Sequence, residues 1–139
     1  MVTQVTPTRE DYLREIYKMQ EARPGEVRLT ELAERLALSK STVTERIAEM
    51  ADAGLVSHES YGGGRLTAKG RALGEELTYR HRVIETFLAN VLGLKGTLVH
   101  EEAHKMEHAC GSAVIDAMRR LIPDATHCPD GSPIPRRAA

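Results

Sequence analysis

No proline interrupts the chain between Pro24 and Pro123. Proline breaks a helix interior, so these residues are free to form long helices. The six prolines (Pro7, Pro24, Pro123, Pro129, Pro133 and Pro135) frame that window and crowd the last segment. Before the window and inside it, apolar residues recur at helical spacing. Thr8 precedes "REDYLREIYKMQ", with acidic residues in the first turn and Leu13, Ile16, Tyr17 and Gln20 on one face. "RPGE" ends that helix at Pro24-Gly25. Thr30 is expected to cap a short helix with Leu32, Ala33 and Leu36 inside. "ALS" reads as a tight turn. Ser39 caps the next helix, which buries Val43, Ile47 and Met50 and closes at Gly54.

Two short helices joined by about three residues form a helix-turn-helix. "LVSHESYGGGRLTAKG" follows and reads as two strands around Gly62-Gly63-Gly64, a wing. Thr67 then starts a long helix that Gly93 ends. One or two more helices fill the stretch to Ile122, with a break near Gly111. The predicted fold is mainly α: an N-terminal winged helix-turn-helix with a small β-wing, then a C-terminal α-helical metal-binding and dimerisation domain. The expected boundaries are residues 1–72, 73–122 and a turn-rich, extended, linker-like tail at 123–139.

Hydrophobic residues make up 41% of the 139, enough for a core, and aromatics only 4%, so that core is aliphatic. The net charge of −1 argues against a polycation and leaves nucleic-acid binding to local charge placement. Cys110 and Cys128 make no disulfide framework. The N-terminus lacks an apolar leader pattern and no stretch approaches eighteen apolar residues, so a cytoplasmic protein without membrane contact is expected.

The chemistry concentrates in "VHEEAHKMEH", residues 99–108, with three histidines and three glutamates. On a helix, His100, His104, His108 and Glu107 fall at about 0°, 40°, 80° and 340°, one arc about 100° wide. Val99, Ala103, Met106 and Cys110 fall beside it as a core face. Imidazoles and carboxylates are the ligand set of Mn(II), Fe(II) and Zn(II). The bland alternative is a solvated helix with surface histidines. One surface histidine is ordinary; four ligand-type residues on one arc favour metal. His81 and Glu85 add an i, i+4 pair on the preceding helix, a pattern that alone often just faces water.

His100-Glu101-Glu102-Ala103-His104 is also a literal H-E-x-x-H, which in a zinc peptidase would make Glu101 a general base. The extended motif fails, because position 107 is Glu rather than Gly and position 110 is Cys rather than His. No enzyme is expected. A third reading is a winged-helix regulator that takes no metal.

A winged helix followed by "YRHRVIETFL" and "VHEEAHKMEH" closely resembles the diphtheria toxin repressor family, the iron- and manganese-dependent DtxR/MntR-type transcriptional repressors. The resemblance runs from "TREDYLREIY" through "IPDATHCPDGSPIP". It implies a primary metal site of Asp11, His104, Glu107 and His108, and a second site of His81, Glu85 and His100. Iron-type members often carry Met and Cys where this chain has Asp11 and His104. Manganese-type members often carry a carboxylate where it has Arg14. The resemblance therefore implies Mn(II) first, Fe(II) as the alternative and Zn(II) as an in vitro ligand. It also implies metal-homeostasis genes as targets. "CPDGSPIP" resembles the linker that precedes an SH3-like domain in some members; there His127 and Cys128 are read as linker residues and Cys110 as a core thiol.

The expected partner is palindromic double-stranded operator DNA, bound by a homodimer. The recognition helix, residues 39–52, offers Ser39, Ser41, Thr42, Thr44 and Glu45 in its first turns. Lys40, Arg46, Thr8, Arg28 and Arg65 are candidate phosphate contacts, each with the alternative of being an exposed solubilising group. Glu45 is unfavourable beside phosphate unless it accepts from a cytosine amino group. Val83, Ile84, Phe87, Leu88, Val114, Ile115 and Met118 are expected to exceed what a two-helix unit can hide, leaving apolar surface for a second copy; the alternative is that they pack against each other inside one chain.

Overall fold

A computed structural model describes residues 7–58 and 63–136. Gly62, expected in the wing turn, lies outside the described residues. The chain divides into two compact units, Met1–Glu75 and Glu76–Ala139.

The first unit contains α1 (Arg9–Ala22), β1 (Val27–Arg28), α2 (Leu29–Leu36), α3 (Lys40–Asp52), β2 (Val56–His58) and β3 (Gly63–Leu66). Thr8 caps α1 in a full capping box. Its side chain accepts from the Asp11 N–H at 3.3 Å, while Asp11 Oδ2 accepts from the Thr8 N–H at 2.7 Å. Ser39 caps α3 by accepting from the Thr42 N–H at 3.2 Å. Between α2 and α3, Ala37 turns the chain in the left-handed region at φ 56°. Tyr12, Leu13 and Ile16 from α1, Leu29 and Leu32 from α2, and Val43, Ile47 and Met50 from α3 form the buried core.

Thr30 does not cap α2. The helix begins at Leu29, with Arg28 as an N-cap that makes no side-chain cap hydrogen bond. Val27 and Arg28 pair with Gly64 and Gly63, so a strand runs straight into the helix and advances its start. This strand makes the sheet three-stranded, in the order β1-β3-β2, antiparallel throughout. Gln20 is a polar link rather than part of an apolar face. Its amide donates to Gly25 O at 2.7 Å and accepts from the Leu66 N–H at 3.3 Å, tying the end of α1 to β3.

Helix α4 (Ala68–Asn90) runs through the point where the units divide. Its start is fixed by Thr67, whose hydroxyl donates to Gly54 O at 2.7 Å and accepts from the Gly70 N–H at 3.1 Å. Its first turn lies directly against the backbone of Leu55.

In the second unit, the remainder of α4 packs with α5 (Thr97–Glu107) and α6 (Ser112–Arg120). Val83, Ile84, Ala103 and Ile115 are fully buried, and Leu88, Val99 and Met118 nearly so. Val83, Ile84, Leu88, Ile115 and Met118, expected at a dimer surface, are therefore consumed inside one chain. Three helices share them rather than two. The large apolar side chains left exposed in this unit are Val91, Leu92, Leu98, Val114 and Leu121.

The segment after Pro123 folds back onto these helices. Ile134 N–H donates to Thr126 O at 2.9 Å and Cys128 N–H to Ser132 O at 2.8 Å, closing a small loop. The buried Arg82 donates to Pro133 O at 2.7 Å, Cys128 is 5% exposed, and Ile134 packs on the helical core. That arrangement differs from the extended course expected for the segment, because the helical core and Arg82, whose hydrogen bond to Pro133 spans 51 residues, supply its partners.

Gly70 and Gly54 differ in why they are glycine. A Cβ on Gly70 would collide with the Leu55 carbonyl oxygen, a backbone atom that cannot swing aside. Gly54 has open space but a φ of 76°. Gly70→Ala is expected to destabilise the first unit by about 2–3 kcal/mol, and Gly54→Ala by about 1 kcal/mol. Urea unfolding followed by far-UV circular dichroism measures both.

Candidate metal centre and nucleic-acid interface

Helix α5 presents the ligand residues. His100, His104 and Glu107 lie within it, and His108 is its C-cap with backbone angles still helical, so the arc read from the sequence persists to its end. Val99 and Ala103 are buried, and Met106 and Cys110 pack partly buried against the core, which orients the helix. The last turn is held from α4. Arg80 Nη2 donates to Glu107 O at 3.0 Å and also to Cys110 O. The Glu107 carbonyl is one that a helix end leaves without an intrahelical donor, and Cys110 lies just beyond that end.

Glu107 is the buried centre of this arrangement, at 6% exposure. Its Oε2 lies 2.9 Å from His81 Nδ1. Its Oε1 lies 3.8 Å from His104 Nε2 and 3.7 Å from His108 Nε2. Those two separations exceed a hydrogen bond. Two ligands each about 2.1 Å from one cation stand about 3–4.2 Å apart, so the donors have the spacing of a shared ion. A buried carboxylate between two imidazoles also has the right chemistry for Mn(II), Fe(II) or Zn(II).

A second group lies beside it. His81 Nε2 is 3.0 Å from Glu85 Oε1, and His100 Nδ1 is 3.3 Å from Glu85 Oε2. One ligand atom from each of the three lies within 4.8 Å of the others. Burial would raise the Glu85 pKa, but the hydrogen bonds and charge of His100 and His81 outweigh it and hold the carboxyl at about 2. Glu85 is thus an anion over the whole physiological range.

The two histidines of the H-E-x-x-H string therefore part company. His100 faces Glu85, and His104 stands beside Glu107. Glu101 is exposed. A peptidase needs both imidazoles on one ion, and here they belong to different groups.

Two residues not counted as ligands on sequence grounds form a further group that shares Glu85. Glu85, Cys128 and Asp130 bring ligand atoms within 4.8 Å of one another. Burial, then the hydrogen bond to Asp130 at 2.8 Å, pushes the Cys128 thiol up to about 11. The only sequence signal was a Cys and an Asp two apart in a turn. Nothing local ties that turn to Glu85, 43 residues away.

In the first unit, Asp11 is buried at 5% and engaged in the α1 capping box. Ser39 at the α3 N-cap and Lys40, Ser41, Thr42, Thr44 and Glu45 on α3 are all exposed, as a reading helix requires. Ser39 and Thr42 hydroxyls share a 2.8 Å hydrogen bond. Arg46 is half-buried, 5.9 Å from the Tyr12 ring centroid and 3.7 Å from Glu49, which restrains it as a phosphate contact. Thr8 and Arg28 are exposed, and Arg65 is exposed on β3 opposite Ser57.

Two family models account for the chain in halves. Residues 4–64 match "Iron dependent repressor, N-terminal DNA binding domain", and residues 67–136 match "Iron dependent repressor, metal binding and dimerisation domain". The chain belongs to the iron-dependent repressor family. It is 33% identical over 117 residues to the HTH-type transcriptional regulator MntR of Shouchella clausii, covering 84% of this chain and 80% of that protein. It is 35% identical over 128 residues to the diphtheria toxin repressor of Corynebacterium diphtheriae, covering 92% of this chain and 56% of that one. A solved manganese-dependent transcriptional repressor in complex with manganese superposes with a TM-score of 0.82 at 38% identity, over 91% of this chain and 58% of that one. Against these last two relatives, this repressor-family chain spans little more than half their length.

Two outcomes follow from the pKa shifts. Because the Glu85 carboxyl is depressed from 4.5 to about 2, its contribution to stability is complete above pH 4.5 and lost as pH falls toward 2. Thermal melts of the metal-free protein should show Glu85→Gln less stable than wild type at pH 6, with the gap closing below pH 4. At pH 8, iodoacetamide should modify partly exposed Cys110 well before Cys128, by mass spectrometry of tryptic peptides.

Proposed function

We propose that this chain is a metal-activated, DNA-binding transcriptional repressor that takes Mn(II), with Fe(II) as the alternative, and binds palindromic operator DNA as a homodimer. The observation that carries the reading is Glu107, a buried carboxylate whose Oε1 stands 3.7–3.8 Å from two imidazole nitrogens, in a chain whose other half matches a DNA-binding domain. A divalent cation supplies the positive charge that lets these donors share one point. His104, Glu107 and His108 would hold it, and family membership supports Asp11 as the fourth ligand. His81, Glu85 and His100 would hold a second ion, with Cys128 and Asp130 at the same carboxylate.

The first group is all oxygen and nitrogen, which favours Mn(II) or Fe(II) over softer ions. Zn(II) would bind such donors in vitro. Asp11 acts from the first turn of α1, in the unit that carries the reading helix. Its carboxylate, once a ligand, restrains that unit; with both protomers so restrained, two reading helices match two half-sites. Ser41, Thr42, Thr44 and Glu45 would meet base edges, and Thr8, Arg28, Lys40, Arg46 and Arg65 phosphates. The homodimer would use the exposed Val91, Leu92, Leu98, Val114 and Leu121 of the second unit. Genes of metal homeostasis are the fitting targets, and the cytoplasm the fitting compartment. The family is one of repressors rather than enzymes, and the divided histidines support no peptidase here.

Fluorescence anisotropy against duplexes selected from a random pool tests this. Wild type should bind about a hundredfold tighter in Mn(II) than in chelator. Asp11→Ala should lose that gain while keeping its circular dichroism spectrum; an Asp11→Ala protein with the full metal response would refute the role given to this residue. Arg65→Ala should weaken binding evenly across sequences and reduce the salt slope by about one.

A further inference from the structure

His81 touches both ligand groups. Its Nε2 lies 3.0 Å from Glu85 Oε1 and its Nδ1 lies 2.9 Å from Glu107 Oε2. The ring is 6% exposed, so water cannot easily stand in for either partner. An imidazole with a single N–H can donate to only one of two carboxylates. With the proton on Nε2, a nitrogen lone pair faces Glu107 Oε2, and the carboxylate has reason to turn away. With the proton on Nδ1, that N–H donates to Glu107 Oε2 and leaves Oε1 directed toward His104 and His108.

We infer that His81 couples the two metal sites: a cation on its Nε2, held with Glu85 and His100, places its proton on Nδ1 and so positions Glu107 for the ion shared with His104 and His108. This rests on the metal-binding reading above. Histidine ligands generally donate their second N–H to a carboxylate, which fixes the tautomer and steadies the partner. Here that partner is itself a ligand of the neighbouring site. The rest of Glu107 is already constrained, since Arg80 holds its carbonyl at 3.0 Å, so the side-chain torsions are the freedom His81 removes. His81 is a ligand in one group and a positioning residue for the other. Linkage makes the effect reciprocal: an ion on Glu107 must favour the same tautomer, and hence the same ion on Glu85, by the same factor.

Mn(II) titrations of the full chain, read by the EPR signal of free Mn(II), test the coupling without DNA. Wild type should take two ions per chain, and the His104→Ala/His108→Ala variant should lose one, which assigns the sites. His100→Ala removes one ligand of the Glu85 group and leaves His81 in place. Its side chain is 62% exposed, so the fold should survive, as circular dichroism would show. In that variant the Glu107-group ion should bind about tenfold more weakly than in wild type. His81→Ala should match it. His81→Asn, whose amide is a permanent donor, should lose the Glu85-group ion yet return the other to within about threefold of wild type. Glu107→Ala should weaken the Glu85-group ion by the same factor as the reciprocal effect.

The coupling is wrong if His100→Ala binds the Glu107-group ion with wild-type affinity, if His81→Asn is as weak as His81→Ala, or if wild type binds a single ion. A wild type that binds no Mn(II) at any concentration below millimolar overturns the metal-activated reading itself, a different failure from loss of coupling alone.

Discussion

Glu107 is a carboxylate 6% exposed in an aliphatic unit, and the second unit is arranged around making that tolerable. A buried charge costs several kcal/mol unless it is paired and hydrogen-bonded. Its hydrogen-bond distance is to His81 from α4, at 2.9 Å, while His104 one turn back on α5 and His108 at the helix end stand at the spacing of a shared ion. The His81 contact needs α4 and α5 at a fixed separation. Fully buried Val83, Ile84 and Ala103 set that separation by close packing, and Arg80 pins the last turn of α5 through its carbonyls. The apolar core therefore precedes the site in the causal order.

The same logic divides the donors by chemistry. The Glu107 group presents only carboxylate and imidazole from this unit. The Glu85 group presents those and, through the folded-back segment, a thiol and a further carboxylate. Cys128 sits protonated, with a pKa near 11, so a metal must displace its proton before sulfur can join. That places sulfur ligation at a disadvantage for a hard, weakly acidifying ion and at an advantage for one that lowers a bound thiol's pKa strongly. Under the proposed metal-binding reading, two neighbouring groups of different softness would respond differently to the same pool of cations.

Much of this was legible in the residues, for reasons that are local. Thr8 and Ser39 cap their helices because a short side-chain oxygen before an apolar-periodic run has an N–H to accept from. The arc of His100, His104, Glu107 and His108 follows from 100° per residue and from nothing else. What escaped was non-local. The two-residue β1 has no periodicity, and by pairing with β3 across the sequence it moved the α2 N-cap from Thr30 to Arg28. Apolar residues on α4 and α6 read as surplus until three helices shared them. The fold-back of Cys128 depends on Arg82 reaching Pro133, which no window of sequence contains. The parting of His100 from His104 follows from no spacing, since both share a helix face; the family resemblance alone separated them in the sequence, and the placement of Glu85 and His81 on α4 gives the physical reason.

The most direct test of the account is where the ions sit. Crystals grown with Mn(II) and measured near the manganese absorption edge would locate each ion by anomalous difference density. The account predicts one peak coordinated by Glu107 Oε1, His104 and His108, a second coordinated by Glu85, His81 Nε2 and His100, and His81 Nδ1 still within hydrogen-bond distance of Glu107 Oε2. A single peak joining His100 and His104, or ions bound elsewhere with Glu107 left facing His81 alone, would contradict it.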